Sequence, residues 1–372
     1  MEHQKKEKQN IRVLIAPLDW GLGHATRCVP LIRMLISKGL QVIVAAEGAH
    51  EKLLRIEFPQ LLFVHLPGYR IKYARRLLMW RLVAQLPKLQ KAIQQEHQWL
   101  RDCVVQHQIH WVISDNRYGL WHPNVPCVMI THQLRVKLPA IFKWAETLVQ
   151  QQLYSHINQF SACWVPDLPL LSNGLSGFLG HPAKMPKAPV HYLGWLSRFR
   201  LPENQPRPPK FTYKCLIMLS GPEPQRTLLE NRLLPQLQHI GLPIMLVRGL
   251  PNELSELHLP ENITVKNHLP AAEMQEAMLN SNWIIARCGY STLMDAFSLQ
   301  KKCIFLPTPG QTEQEYLAQQ LKSRKMALVY EQNKFNIEQA LAEAAVFNFQ
   351  LPALPANFLF EMEVDRFLNQ YF

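Results

Sequence analysis

Short runs of apolar and β-branched residues recur along the chain, each followed by a longer stretch with helical spacing, the signature of parallel βαβ units. Ile11 to Pro17 reads as a first strand, Val29 to Lys38 as a helix ended by Gly39, and Gln41 to Ala46 as a second strand. The pattern repeats at Leu61 to Leu66, Trp111 to Ser114, Cys127 to Thr131 and Ala162 to Pro166. Between Leu196 and Pro209 it is broken by a stretch with four prolines and no apolar periodicity, which reads as a stiff linker. The alternation then restarts, with strands at Lys214 to Leu219, Ile244 to Val247, Ile263 to Val265, Trp283 to Ala286 and Cys303 to Leu306. Helices are expected near Thr227 to His239, Ala271 to Leu279, Thr292 to Leu299 and Gln314 to Ser323, with a closing one over Phe358 to Phe372. The fold class is therefore α/β, with two Rossmann-like parallel-sheet domains. One spans 1–196 and the other 211–357, joined by a linker over 197–210, and the helix of 358–372 is free to pack back across that linker.

The composition fits this reading. With 372 residues, 48% of them hydrophobic and 18% charged, the chain is too apolar for a disordered protein and long enough for two cores. Its net charge of +12 is unevenly spread. The first 200 residues hold 25 Lys and Arg against 11 Asp and Glu, and the remainder holds 15 against 17, so only the first domain is suited to an anionic surface or substrate. No apolar run approaches the roughly 20 residues that span a bilayer. Met1 to Asn10 lacks the apolar segment of a signal peptide, so a cytoplasmic location is expected. Seven cysteines with no CxxC spacing support neither a disulfide framework nor a zinc site, and no metal or cofactor is expected.

One basic segment bears on location. Arg70, Lys72, Arg75, Arg76 and Arg81 interleave with Leu77, Leu78, Met79 and Trp80, a pattern suited to lying at the inner face of an anionic membrane. A surface helix with its apolar side on the sheet explains it equally simply. No nucleic-acid-binding module accompanies the stripe, so nucleic acid is not an expected partner.

Four segments at strand ends carry candidate chemistry. After the first strand comes Gly21-Leu22-Gly23-His24-Ala25-Thr26-Arg27. Glycines at a strand-to-helix turn let backbone N–H groups approach an anion or sugar, but Thr26 stands where a dinucleotide fingerprint needs its third glycine. His24 lies where ligands bind in open α/β folds and is suited to receive a proton near neutral pH, against the plainer reading of a hydrogen-bonded loop histidine. Asp115, Asn116 and Arg117 follow the fourth strand and His132 the fifth, where Asp115 or His132 is a second candidate base or orienter.

In the second half, Ser220 to Thr227 again joins a strand to a helix and presents Ser220 and Arg226 to a phosphate, or forms an ordinary proline-rich turn. Arg287, Gly289, Ser291 and Thr292 stand at another helix start suited to a diphosphate, with Asp295 one turn further in, placed to accept from a ribose diol. Glu313 and Gln314 begin the next helix, where they are suited to reading sugar hydroxyls.

Gly289, Ser291, Thr292 and Asp295, with the proline-rich turn and Glu313–Gln314 after them, resemble the donor-binding half of GT-B glycosyltransferases. The resemblance is to family 28 in particular, the group that includes the peptidoglycan N-acetylglucosaminyltransferase. The Gly21 to Arg27 turn looks like the glycine-histidine loop of the same group. The resemblance implies two domains facing across a cleft, with the donor on the C-terminal domain and the acceptor entering from the N-terminal one. It implies that Asp295 binds the ribose, Ser291 and Thr292 the phosphates, Glu313 and Gln314 the donor sugar, and the backbone at Leu269 the base. The expected activity is metal-independent transfer of a sugar, UDP-linked by preference, to a hydroxyl of an anionic or lipid-linked acceptor. His24 would be the base, Asp115 its second or alternate, and Gly21, Gly23, Asn116, Arg117 and His132 would lie on the acceptor side. A nucleotide-sugar hydrolase or epimerase of the same fold, and a non-catalytic polyanion- or membrane-binding protein with a degenerate nucleotide site, are the alternatives.

Overall fold

The computed structural model describes residues 10–69, 86–138, 140–201, 211–251, 253–254, 257–355 and 358–372. The chain forms two compact units, one running to Leu196 and including Pro355–Phe372, the other Ser197–Leu354. The basic segment 70–81, read above as a membrane surface, lies outside the described residues.

In the first unit the strands are β1 (Arg12–Pro17), β2 (Gln41–Ala46), β3 (Leu62–His65), β4 (Trp111–Asp115), β5 (Cys127–Ile130), β6 (Ala162–Val165) and β7 (Val190–Tyr192). They form one parallel sheet in the order β3-β2-β1-β4-β5-β6-β7. β4 and β5 are buried along their whole length, which is why they read as unbroken apolar runs and not as alternating ones. The helices are α1 (Gly23–Ser37), α2 (Gly48–Glu57), α3 (Leu86–His107) and α4 (Glu146–Ile157). The chain reverses its direction across the sheet between β1 and β4, and Pro17 pairs with Asp115 in register. A switch point of this kind leaves a crevice at the carboxyl ends of the two strands.

Helix α1 begins at Gly23, six residues ahead of the expected start at Val29. Leu22 is already in the right-handed helical region, the Thr26 amide donates to the Leu22 carbonyl at 3.0 Å, and the Thr26 hydroxyl donates to the Gly23 carbonyl at 3.0 Å. Ala25, Cys28, Val29, Ile32 and Leu35 then give one continuous buried stripe, which outweighs the poor helix propensity of Gly23 and the missing N–H of Pro30. His24 therefore sits in a first helical turn, not in an open loop.

The second unit holds β8 (Tyr213–Met218), β9 (Ile244–Val247), β10 (Ile263–Lys266), β11 (Ser281–Ala286), β12 (Lys302–Phe305) and β13 (Leu328–Val329). They too form a parallel sheet, in the order β10-β9-β8-β11-β12-β13, with its switch point between β8 and β11. Its helices are α5 (Gln225–Leu237), α6 (Ala271–Leu279), α7 (Tyr290–Ser298), α8 (Thr312–Ser323) and α9 (Ile337–Val346). Residues 197–201, expected as the start of the linker, pack onto this unit: Phe199 is buried and Ser197 bonds to Asp295. The rest of the linker, 202–210, lies outside the described residues.

The closing helix α10 (Phe358–Tyr371) belongs to the first unit. The Phe367 ring stacks on Trp111 of β4 with centroids 4.7 Å apart and meets Trp164 of β6 edge-on at 5.7 Å. Val364 and Leu368 are fully buried beside them, so the helix covers sheet surface that would otherwise face water. All seven cysteines are buried free thiols.

Candidate active site

Gly21, at φ +78°, turns the chain after β1 in a conformation that side chains resist, and its carbonyl accepts from His50 Nε2 at 3.0 Å. The turn is also held from the far side. Tyr69 donates its amide to Asp19 at 3.1 Å and Gly68 donates to Glu47 at 2.7 Å, and a Cβ on Gly68 would fall 2.2 Å from Asp19 Oδ2. With the turn fixed in this way, the first residues of α1 have fixed positions over the ends of β1 and β4.

His24 and Asp115 meet there, His24 Nδ1 lying 2.9 Å from Asp115 Oδ2. The carboxylate is fully buried and the imidazole 15% exposed. Arg27, one turn along α1, donates Nε to the same Oδ2 at 2.9 Å and a terminal N–H to Oδ1. Nδ1 lies between this carboxylate, which can only accept, and an Arg27 N–H 2.8 Å away, which can only donate; in the tautomer whose Nδ1 hydrogen faces Asp115, His24 presents the lone pair of Nε2, which makes no hydrogen bond among the described residues. Burial alone would raise the Asp115 carboxyl, yet the Arg27 and His24 charges and hydrogen bonds hold it below its ordinary value. Burial, with Arg27 adding to it, pushes the His24 imidazole below its ordinary value, while Asp115 opposes the shift. The result is a neutral, oriented imidazole able to take a proton.

Of the other residues expected on this side, His132 joins the cluster, its Nδ1 3.2 Å from Arg27. Asn116 follows Asp115 in a left-handed conformation, and its buried side-chain oxygen makes no hydrogen bond among the described residues. Arg117 is drawn away from the site. Its Nε donates to Glu96 at 2.5 Å and another N–H to the Pro67 carbonyl, while Glu96 also accepts from the Tyr69 hydroxyl at 2.6 Å and the Gly119 amide at 3.1 Å. This arginine fixes the 116–119 turn from beneath through its pairing with Glu96 and Pro67.

In the second unit the helix start at α7 stands at the carboxyl end of β11, with Gly289 extended at its N-cap and no side chain capping it. Ser291 and Thr292 are half-buried in its first turn. Asp295 is buried, its oxygens accepting from the Ser197 hydroxyl at 2.8 Å and Arg198 Nε at 3.3 Å. Burial raises this carboxyl and Arg198 opposes the rise. Gln314 is buried and accepts from the Thr308 amide at 2.9 Å, which shapes the turn ahead of α8, and Glu313 beside it is half-buried. Leu269 is buried before α6 and Ser220 is exposed after β8.

Two arginines expected at the donor are committed within the unit. Arg226 donates to Glu223 at 2.6 Å, to Glu230 at 3.0 Å and to the Thr227 hydroxyl at 2.6 Å. Arg287, 1% exposed, donates to the carbonyls of Leu306 and Gln225 and at 2.6 Å to the Gln332 side chain, and burial pushes its guanidinium down to about 10. It ties four loops together. Among the described residues no cluster of three or more His, Cys, Asp or Glu side chains is arranged to hold a metal ion.

Residues 249–352, which contain α7, Asp295 and Gln314, match the model of the glycosyltransferase family 28 C-terminal domain. The second unit thus carries a glycosyltransferase family 28 C-terminal domain. No curated protein sequence matches it. Among solved structures, the glycosyltransferase SnogD from Streptomyces nogalater is 16% identical with a TM-score of 0.62, covering 96% of this chain and 100% of its own. The spinosyn forosaminyltransferase SpnP is 16% identical with a TM-score of 0.60, covering 97% and 100%. MurG of Acinetobacter baumannii is 16% identical with a TM-score of 0.54, covering 96% and 99%. At such identities these likenesses establish the fold alone, the GT-B fold of two parallel-sheet α/β domains.

At the His24–Asp115 site, the residue that sequence reasoning passed over is Arg27. It stands in the quoted glycine-histidine segment, three residues after His24, a spacing that puts both on one face once the segment is helical. Placing the segment in a loop concealed that signal. Ser197 and Arg198, 98 and 97 residues from Asp295, carried no local signal at all.

Proposed function

We propose that the enzyme transfers a sugar from a nucleoside-diphosphate donor, UDP-linked by preference, to a hydroxyl of an anionic or lipid-borne acceptor. The observation that carries this reading is the His24–Asp115 pair, whose outward Nε2 is a ready base on a chain whose second unit carries a family 28 domain. In the proposed step Nε2 takes the proton of the acceptor hydroxyl, its oxygen bonds to the anomeric carbon, and the bond from that carbon to the diphosphate breaks. The departing diphosphate carries the bonding electrons, and the backbone N–H groups at the start of α7, with Ser291 and Thr292, suit its charge. In this reading Asp295 would hold the ribose, the Leu269 backbone the base, and Glu313 and Gln314 the sugar.

The solved structure of the glycosyltransferase VinC in complex with dTDP supports a nucleoside diphosphate as the leaving group in this fold. An excess of cations in the first 200 residues supports an anionic acceptor or surface. Ile141 and Trp144, beside Lys143 in the segment leading into α4, and Leu148 in its first turn are exposed, which favours contact with a membrane carrying the acceptor. No helix among the described residues is long and apolar enough to cross one.

Isothermal titration with UDP, dTDP and other nucleoside diphosphates tests the donor half. Binding of one of them is expected, and absence of binding by all of them overturns the reading. Product analysis with donor alone tests the reaction: a transferase releases little free sugar, whereas rapid release or sugar isomerisation assigns the chain to the hydrolases or epimerases.

A further inference from the structure

The Asp115 carboxylate serves two partners. It accepts from His24 Nδ1 at 2.9 Å and from the fork of Arg27, whose side chain is 2% exposed and whose third nitrogen reaches His132 at 3.2 Å. Arg27 also lies 2.8 Å from His24 Nδ1 itself. A buried carboxylate beside a lone imidazole would draw a proton onto the ring and lock it as an ion pair. Here the guanidinium cancels that carboxylate and occupies the side of the ring from which imidazolium would be stabilised.

We infer that Arg27 is a positioning residue for His24: it neutralises Asp115, fixes the imidazole with Nδ1 inward, and so reserves the outward Nε2 for the acceptor hydroxyl. This rests on the catalytic reading of His24 given above. Lysine would not replace it, because the planar fork spans both carboxylate oxygens and still reaches His132, whereas an ammonium is a single point charge.

The groups around the pair leave this role to Arg27. The Cys28 thiol on α1 and the Tyr118 phenol after β4 are pushed up by burial and stay neutral, and His50 on α2 is pushed down by burial. His132 faces Arg27 from the end of β5. The fixed charges of the described group are thus Arg27 and Asp115.

The test is a titration of the full chain labelled at its histidines, followed by heteronuclear NMR, which needs neither donor nor acceptor. Wild-type His24 is expected in the Nδ1–H form with a midpoint below 6.5. Arg27→Met should raise that midpoint by about one pH unit or more, since the carboxylate then acts on the ring unopposed. Arg27→Lys should keep the midpoint within about 0.5 units of wild type while losing the single-tautomer signal, because the charge remains and the fork does not. An Nε2–H form or a midpoint at or above 6.5 in the wild type overturns the inference even if Arg27→Met fails to fold. So does an unchanged midpoint in folded Arg27→Met. Failure of nucleotide binding would overturn the proposed reaction without altering any of these readings.

Discussion

The Ser197 hydroxyl donates to the Asp295 carboxylate across 2.8 Å, so the residue proposed to hold the donor ribose already has a partner from the chain just ahead of β8. Arg198 takes the other oxygen at 3.3 Å. An arriving ribose diol must share the carboxylate with these donors or displace them. Asp295→Ala should therefore weaken UDP binding by about 10- to 100-fold, the worth of hydrogen bonds to a charged acceptor. Ser197→Ala, which frees one oxygen, should leave UDP affinity intact or raise it. Calorimetry on the two variants checks both. Lower stability in Asp295→Ala with unchanged UDP affinity would make Asp295 an anchor for residues 197–198 and nothing more.

His24→Ala removes the base and leaves every residue proposed for the donor unchanged. Turnover should fall by about 10²- to 10⁴-fold, the usual worth of general base catalysis, with UDP affinity unchanged. Asp115→Asn should lower turnover over a similar range for a different reason. Its amide can donate to Nδ1 and so favours the tautomer that carries hydrogen on the wrong nitrogen. Steady-state rates beside UDP titrations separate these effects, and loss of both turnover and binding in His24→Ala would mark a structural histidine.

The pH dependence has a definite sign. Burial and the neighbouring Arg27 lower the His24 imidazole from its ordinary value of 6.5, and only the neutral ring accepts a proton. Activity should thus hold steady from neutral pH down through 6.5 and fall only when the pH drops below the lowered value. A profile of kcat/KM against pH measures this, and an acid limb centred above 6.5 would mean that His24 is not the base or that Asp115 dominates its field.

The strands of both sheets, except the short edge strands β7 and β13, were legible because parallel strands covered on both faces are written as short apolar runs, and their carboxyl ends marked where His24, Asp115 and Asp295 would stand. What the sequence concealed was partnership. An arginine at a strand end reads the same whether it faces a phosphate or a carboxylate: Arg117 finds Glu96 21 positions away, and Arg226 finds Glu223 and Glu230 within its own turn and helix. Such a side chain goes to the partner that shares its burial, because an unpaired buried charge costs more than a contact with ligand returns. The start of α1 was hidden for a related reason. Local propensity disfavours Gly23 and His24, and the buried stripe from Ala25 to Leu35 overrides it.

The same logic makes Glu230 a structural centre of the second unit. Its two oxygens hold Arg226 at 3.0 Å and Arg248 at 2.6 Å, Arg248 in turn donates to Asn267 at 2.9 Å, and the Glu230 carboxylate is 6% exposed. The two arginines and hydrogen bonds hold this carboxyl below its ordinary value against the pull of burial. Glu230→Gln would leave the largely buried Arg248 guanidinium without its counter-charge and Arg226 with Glu223 alone, and should cost about 3 kcal/mol of stability, as breaking a buried ion pair does. The loss should shrink as pH falls through the lowered carboxyl value of the wild type, because protonation of Glu230 there removes the same interaction. Urea denaturation at neutral and acid pH measures both. If Arg226 were instead held in reserve for a phosphate, Glu230→Gln would tighten nucleotide binding with little loss of stability, and that pair of results would return Arg226 to the donor site.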